Sequence, residues 1–167
     1  YTGSTNTLGQ IATSSSSAGY GVESFLITSK VIFTGTNTYT GTTTLTNTST
    51  DRISGGAGVL SLSYRNQNAI GTIQLGSGST TGSIASTSIS NAGLLILNRS
   101  DNTANLSSII SGSGHLIQIG TGTYILSGIN TYTGSTVVSS GILRASNAAA
   151  LGNTSTGTIV LSGAALE

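Results

Sequence analysis

GSGHLIQIGTGTYILSGINTYTGSTVVSSGILR, from Gly112 to Arg144, is the stretch from which the fold can be read. It holds three short β-prone runs, His115–Ile119, Thr123–Leu126 and Thr136–Val138, and opens a fourth at Ile142. Gly, Ser or Asn separates each run from the next. Such runs between turn formers predict strands, and the 3.6-residue spacing of a helix is absent. The phrase also occurs earlier: FTGTNTYTGTTTL at Phe33–Leu45 matches LSGINTYTGSTVV at Leu126–Val138. Asn37 with Asn130, Tyr39 with Tyr132 and Gly41 with Gly134 pair at one offset (130 − 37 = 93). A chain that repeats a strand–turn phrase is expected to stack similar units along an axis.

The residues on either side extend the pattern. Phe25–Ile27, Val31–Phe33, Val59–Tyr64 and Leu94–Leu97 read as strands, with Thr158–Leu161 as the last. Ile70, Ile73 and Leu75 supply another coil. Gly55–Gly58, the loop Gly76–Gly82 and the polar NRSDN at Asn98–Asn102 read as turns, and Ala148–Leu151 as a bend. From Thr34 to Thr50 every even-numbered residue is threonine; Asn37 and Gly41 are expected to bend this segment into separate strands. Counting the runs predicts about 15–20 short strands, hence six to eight coils of ~20–25 residues, with the offset spanning roughly four of them. The expected fold is an all-β solenoid over residues 21–167, with Ile, Leu, Val and Phe33 inside and hydroxyls outside. Residues 1–20 are expected to be an N-terminal cap, a docking strand or a mobile segment. Asn37 and Asn130 are expected to form turns, since Asn and Gly tolerate positive φ at low cost. Tyr39 and Tyr132 are expected to pack beside those turns.

The segment resembles the autotransporter-associated β-strand repeat. The resemblance is carried by Gly112, Gly114, Leu116, Gly120, Gly122, Leu126, Gly128, Asn130, Thr131, Tyr132, Gly134, Thr136, Gly141 and Leu143, with Tyr124 where an aliphatic residue is usual. It is near complete there and partial over Val31–Leu45. It implies a right-handed parallel β-helix in the passenger of a bacterial surface or secreted protein, and no particular activity.

Composition narrows the function. Hydrophobic residues make up 36% of the 167, too few for a large round core but enough for a narrow inner stripe. Charged residues are only 5%. Lys30, Arg52, Arg65, Arg99 and Arg144 nearly balance Glu23, Asp51, Asp101 and Glu167, so no basic stripe exists for nucleic acid or anionic lipid. With no Cys, a disulfide framework and a thiolate metal site are excluded. No apolar run approaches the ~18 residues of a membrane helix, so this segment is expected not to insert directly into a membrane. Without Pro, every N–H is free to donate to a ladder. The absence of Met leads to the expectation of a processed product or an excised piece.

Catalysis on a β-helix needs converging carboxylates, or a base with cationic partners. Apart from the terminal Glu167, Glu23, Asp51 and Asp101 are the only carboxylates, and Asp51-Arg52 and Arg99-x-Asp101 sit beside counter-charges. His115 is the only histidine. Asn98, Asp101 and Asn102 match no calcium-loop spacing and read as a polar turn. No catalytic residue, cofactor or metal site is therefore expected. An ice-binding threonine array is not expected either, because Ile129 and Val137 interrupt the later copy. The expected role is a structural or adhesive stalk segment, extracellular, acting as a rigid rod. Its partners are expected to be other copies of itself, with a host or glycan ligand as a further possibility. The alternatives are a homopolymeric filament subunit, with residues 1–20 as connector, and a carbohydrate-binding or carbohydrate-active β-helix.

Overall fold

A computed structural model describes residues 5–8, 30–37, 41–47, 52–56, 59–64, 71–153 and 155–167, and for 5–8, 47, 52–56 and 59–64 the backbone alone. Tyr39, Glu23, Asp51, Ile70, the Phe25–Ile27 run and the rest of residues 1–20 lie outside the described residues.

The short runs become strands: β1 (Thr5–Leu8), β2 (Lys30–Phe33), β3 (Thr36–Asn37), β4 (Thr43–Asn47), β5 (Arg52–Gly56) and β6 (Val59–Tyr64). They continue as β7 (Thr72–Ser79), β8 (Ser83–Ile84), β9 (Ser88–Asn91), β10 (Leu94–Arg99), β11 (Ala104–Leu106) and β12 (Ile109–Ser111). The last six are β13 (His115–Gln118), β14 (Thr123–Leu126), β15 (Thr136–Val138), β16 (Ile142–Ala145), β17 (Thr158–Val160) and β18 (Ala165–Leu166). Several boundaries differ from expectation: Gly55–Gly56 belong to β5 and Asn98–Arg99 to β10, although both are expected in turns. Gly76–Ser79, read as loop, prolong β7, and β18 follows the run expected to be last.

Among the described residues pairing is parallel except between β5 and β6, so the chain winds as a parallel β-solenoid. Sheet I is seven-stranded, in the order β1-β2-β7-β10-β13-β15-β17; sheet II is β11-β14-β16-β18; sheet III is β12-β9-β4-β6-β5. The short β3–β8 ladder stands between sheets I and III, where sheet II stands in later turns. Register in sheet I advances 22 residues from Thr72 to Leu94 (94 − 72) and 21 from Leu94 to His115 (115 − 94). It then advances 20 from Leu116 to Thr136 (136 − 116) and 22 from Thr136 to Thr158 (158 − 136).

These four regular turns replace the six to eight coils expected. The reason is the turn from Lys30 to Thr72, which takes 42 residues (72 − 30). Within it, β6 pairs with β4 on the side away from β9, and β5 folds back antiparallel on β6. The wide turn also shifts the two sequence copies. Phe33 ends a strand of sheet I, whereas its counterpart Leu126 ends one of sheet II. The copies lie three turns and one face apart, not four stacked coils.

The core is a set of rows along the axis. In sheet I, Val31, Ile73, Leu95 and Leu116 stack in one inward row, and Phe33, Leu75, Leu97, Gln118 and Val138 in the next. All are at most 1% exposed. Sheet II sends in Tyr124 beside Ala104 and Leu143, and Leu126 beside Leu106. Sheet III sends in Thr43, Ile89 and Ile110. Each buried Leu, Ile or Phe adds about 1.5–3 kcal/mol, offset by chain entropy.

Close stacking dictates the residue where sheet I begins. Gly71, Gly93, Gly114 and Gly134 form a column there. A Cβ on Gly93 would strike the carbonyl oxygen of Gly71, one on Gly114 that of Gly93, and one on Gly134 that of Gly114. Those carbonyls are committed: Gly71 O accepts from Leu94 N and Gly93 O from His115 N, both at 2.8 Å. These glycines are set by backbone approach rather than by positive φ. Gly114→Ala should therefore lower unfolding free energy by about 2–3 kcal/mol in a urea titration. Gly157→Ala, where a Cβ meets nothing within 4 Å but φ is +71°, should cost only about 1 kcal/mol.

Candidate functional site

The signature residues are internal fasteners. Asn130 lies buried between coils: its Oδ1 accepts from Ile110 N at 2.8 Å, and its Nδ2 donates to Ala150 O at 2.6 Å. One side chain thus satisfies backbone groups on the turn below and the turn above. Asn37, buried and paired with Ile84, donates to Gly35 O and Ser83 O at 3.0 Å each. Gly41 O accepts from the buried Ser86 Oγ at 2.6 Å. Tyr132 is fully buried, its hydroxyl 2.6 Å from Thr136 Oγ1, and Gly134 belongs to the glycine column. Burial pushes the Tyr132 phenol upward in pKa against the opposing Thr136 hydrogen bond, and burial pushes the Tyr124 phenol above its ordinary range.

Two more asparagines do the same work without belonging to the repeated phrase. Asn91 Oδ1 accepts from Gly93 N at 2.9 Å and its Nδ2 donates to His115 O at 3.1 Å. Asn147 Oδ1 accepts from Ala149 N, and its Nδ2 donates to Ser127 O and Gly128 O. Their signal in the sequence is an Asn two residues before a small residue, a local Asx turn. Gln118 was the least expected: it points inward, donates from Nε2 to Gly120 O at 3.0 Å, and leaves its buried Oε1 without a partner.

Among the described residues the ionisable groups do not converge. Arg99 grips Asp101 bidentately, Nε to Oδ1 and Nη2 to Oδ2 at 2.8 Å each, and also donates to Thr80 O on the preceding turn at 2.6 Å. Thr103 Oγ1 donates to the same carboxylate, and Asn102 Oδ1 accepts from Thr123 N. Arg144 and Glu167 pair on the exposed surface. His115 is exposed and its Nδ1 accepts from Ser135 N at 3.0 Å, with Ser135 Oγ also at 3.0 Å. Among the described residues no group of three or more His, Asp or Glu is placed to hold a metal.

The outer faces differ in chemistry. On sheet I, one outward row reads Ile32, Gln74, Ile96, Ile117, Val137 and Ile159. Sheet III has Thr44, Ser90 and Ser111 outward in one row, with Ile109 and Ile129 exposed nearby. The expectation of hydroxyls outside thus fails on sheet I, where β-branched aliphatics stack instead.

A family profile described as the passenger-associated transport repeat matches residues 28–47 and 116–145, the segments that hold both signature copies. The chain is a parallel β-solenoid that carries this repeat in those two segments. No curated protein and no solved structure matches it.

In these passenger repeats the asparagine is the most sensitive polar position. Asn130→Ala leaves a buried N–H and a buried carbonyl unpaired, and should cost about 2–4 kcal/mol in a denaturant melt. Asp101 gives a pH signature. The hydrogen bond from Arg99 holds its carboxyl down from 3.8 to about 2, outweighing the opposing effect of burial. Because the folded pKa is depressed, this stabilisation is fully present above pH 3.8 and is lost as pH falls through about 2. Asp101→Asn should lower stability by about 1–2 kcal/mol at pH 7, with the gap to the parent closing toward pH 2.

Proposed function

We propose that this chain is a stalk segment of a surface or secreted passenger, with a mechanical and adhesive role and no catalytic one. The observation that carries the reading is the continuous parallel pairing of sheet I through seven strands, with one register shift between Leu97 and Arg99, which links each turn to the next by backbone hydrogen bonds. Such a ladder resists bending and gives proteases few free backbone segments. A non-catalytic role is supported by the charges: Asp101 and Glu167 are each held in an ion pair, and Nδ1 of His115 is occupied by a backbone N–H. Self-association is supported by the low charge, since like-charge repulsion between copies is small.

A glycan-binding role has less support. Phe33, Tyr124 and Tyr132 are the aromatic side chains described, and all three are buried, which leaves none of them as a platform for stacking on sugar. The head-to-tail filament meets an obstacle on sheet III, where the antiparallel β5 ends the sheet. A parallel coil from another copy would not continue the winding there.

Cells displaying this chain between an outer-membrane anchor and an epitope tag test the reading. They should sediment faster than cells displaying the tag alone, and the tag should resist shaving by added protease. Equal sedimentation together with rapid loss of the tag would overturn it.

A further inference from the structure

Parallel strands that are covered on both faces read as near-continuous apolar runs, whereas strands with one wet face alternate. Sheet I reads as covered on both: LLIL in β10, TVV in β15 and TIVL from Thr158 to Leu161. Yet from β10 to β17 its outer face is open, although Gln74 on β7 in the same row is only 3% exposed. Ile159 is 53% exposed, Leu161 47% and Ile119 37%, and Ile96, Ile117 and Val137 are only half-buried. We infer that the outer face of sheet I is the surface through which two copies of this chain lie side by side, aliphatic row against aliphatic row. This rests on the self-association reading above and names the surface that would serve it.

Geometry favours a second copy over other occupants. The outward residues recur at the strand spacing of ~4.8 Å, and a sheet of the same pitch meets them row for row at about 10 Å between sheets. An identical face also makes an isologous pair that closes on itself. From β10 to β17 the aliphatic face measures on the order of 300 Å², from strand spacing and rise per residue. A stable dimer needs about 800 Å² per partner. Contact through this segment alone is therefore weak, and it strengthens by roughly 60 Å² with each further turn that carries the row. Such a contact is weak between isolated molecules and becomes effective between surfaces that present many in parallel.

Sedimentation velocity over rising concentration, with circular dichroism as the folding check, tests the assignment. The parent should show weak, concentration-dependent dimerisation. The variant I96T/I117T/V137T/I159T keeps β-branched residues outside and should associate at least tenfold more weakly, while I109T/I129T, which removes isoleucines from elsewhere, should match the parent. The chain has no native cysteine, so single thiols give a second readout that needs no multiple variant. Under mild oxidation Val137→Cys should form cross-linked dimers more readily than Ser90→Cys or Ile125→Cys. Association that survives the sheet I variant, or cross-linking strongest at Ser90→Cys, would overturn the surface but leave self-association standing. A parent that stays monomeric at every concentration and gives no cross-link at any site would overturn both. Preferential binding of the parent to neutral phosphatidylcholine vesicles, lost in the sheet I variant, would assign the face to lipid and overturn the inference.

Discussion

A parallel strand accepts its neighbour only about 4.8 Å away and in register, and this spacing governs the molecule. Every turn must place its backbone against the turns before and after it with no room for adjustment. Where sheet I begins, the approach is so close that a single Cβ would strike a hydrogen-bonded carbonyl, and a column of glycines results. Helical packing distributes such crowding over many side chains. Here one corner bears it, repeated turn after turn.

The same constraint explains the buried polar groups. A turn between two stacked coils cannot reach water, so its N–H and C=O groups must find partners along the axis. Asparagine meets this need because its amide offers an acceptor and a donor in opposite directions. Asn130 uses them on Ile110 and Ala150. Gln118 has the same head group on a longer stem, directed into the aliphatic rows. It satisfies Gly120 O and leaves its own oxygen unmatched, at a cost of about 1–3 kcal/mol.

Much of this was legible in the sequence, for physical reasons that can be named. His115–Ile119, Thr123–Leu126 and Thr136–Val138 are bounded by residues that turn easily, and their strands fall where the pattern places them, the first ending one residue early at Gln118. The threonine series does fall into two strands, β3 and β4, but Asn37, expected in a turn, is the last residue of β3 and pairs with Ile84. The wide turn was not legible, because an inserted hairpin uses the same Ser, Gly and Leu vocabulary as a coil. Its consequence, the displacement of one phrase copy by a face relative to the other, was hidden with it. The open aliphatic face was hidden differently. Leu94–Leu97 displays apolar residues on both sides of its strand, but composition alone does not tell which side is covered. Nor does a lone Gln in an apolar run declare which way it points, since Gln74 lies on the outward row and Gln118 on the inward one, yet both are buried.

The turn between β2 and β7 makes the rod mechanically uneven. Drawn out from its ends, a regular turn of 21 residues lengthens the chain by about 70 Å, at ~3.3–3.6 Å per extended residue. The turn of 42 residues yields about 140 Å. It stores about twice the slack of a regular turn behind the β2–β7, β3–β8 and β4–β9 ladders. Under load this segment would behave as a spring with one long link, giving up a large increment of reach at one place while the shorter turns still hold.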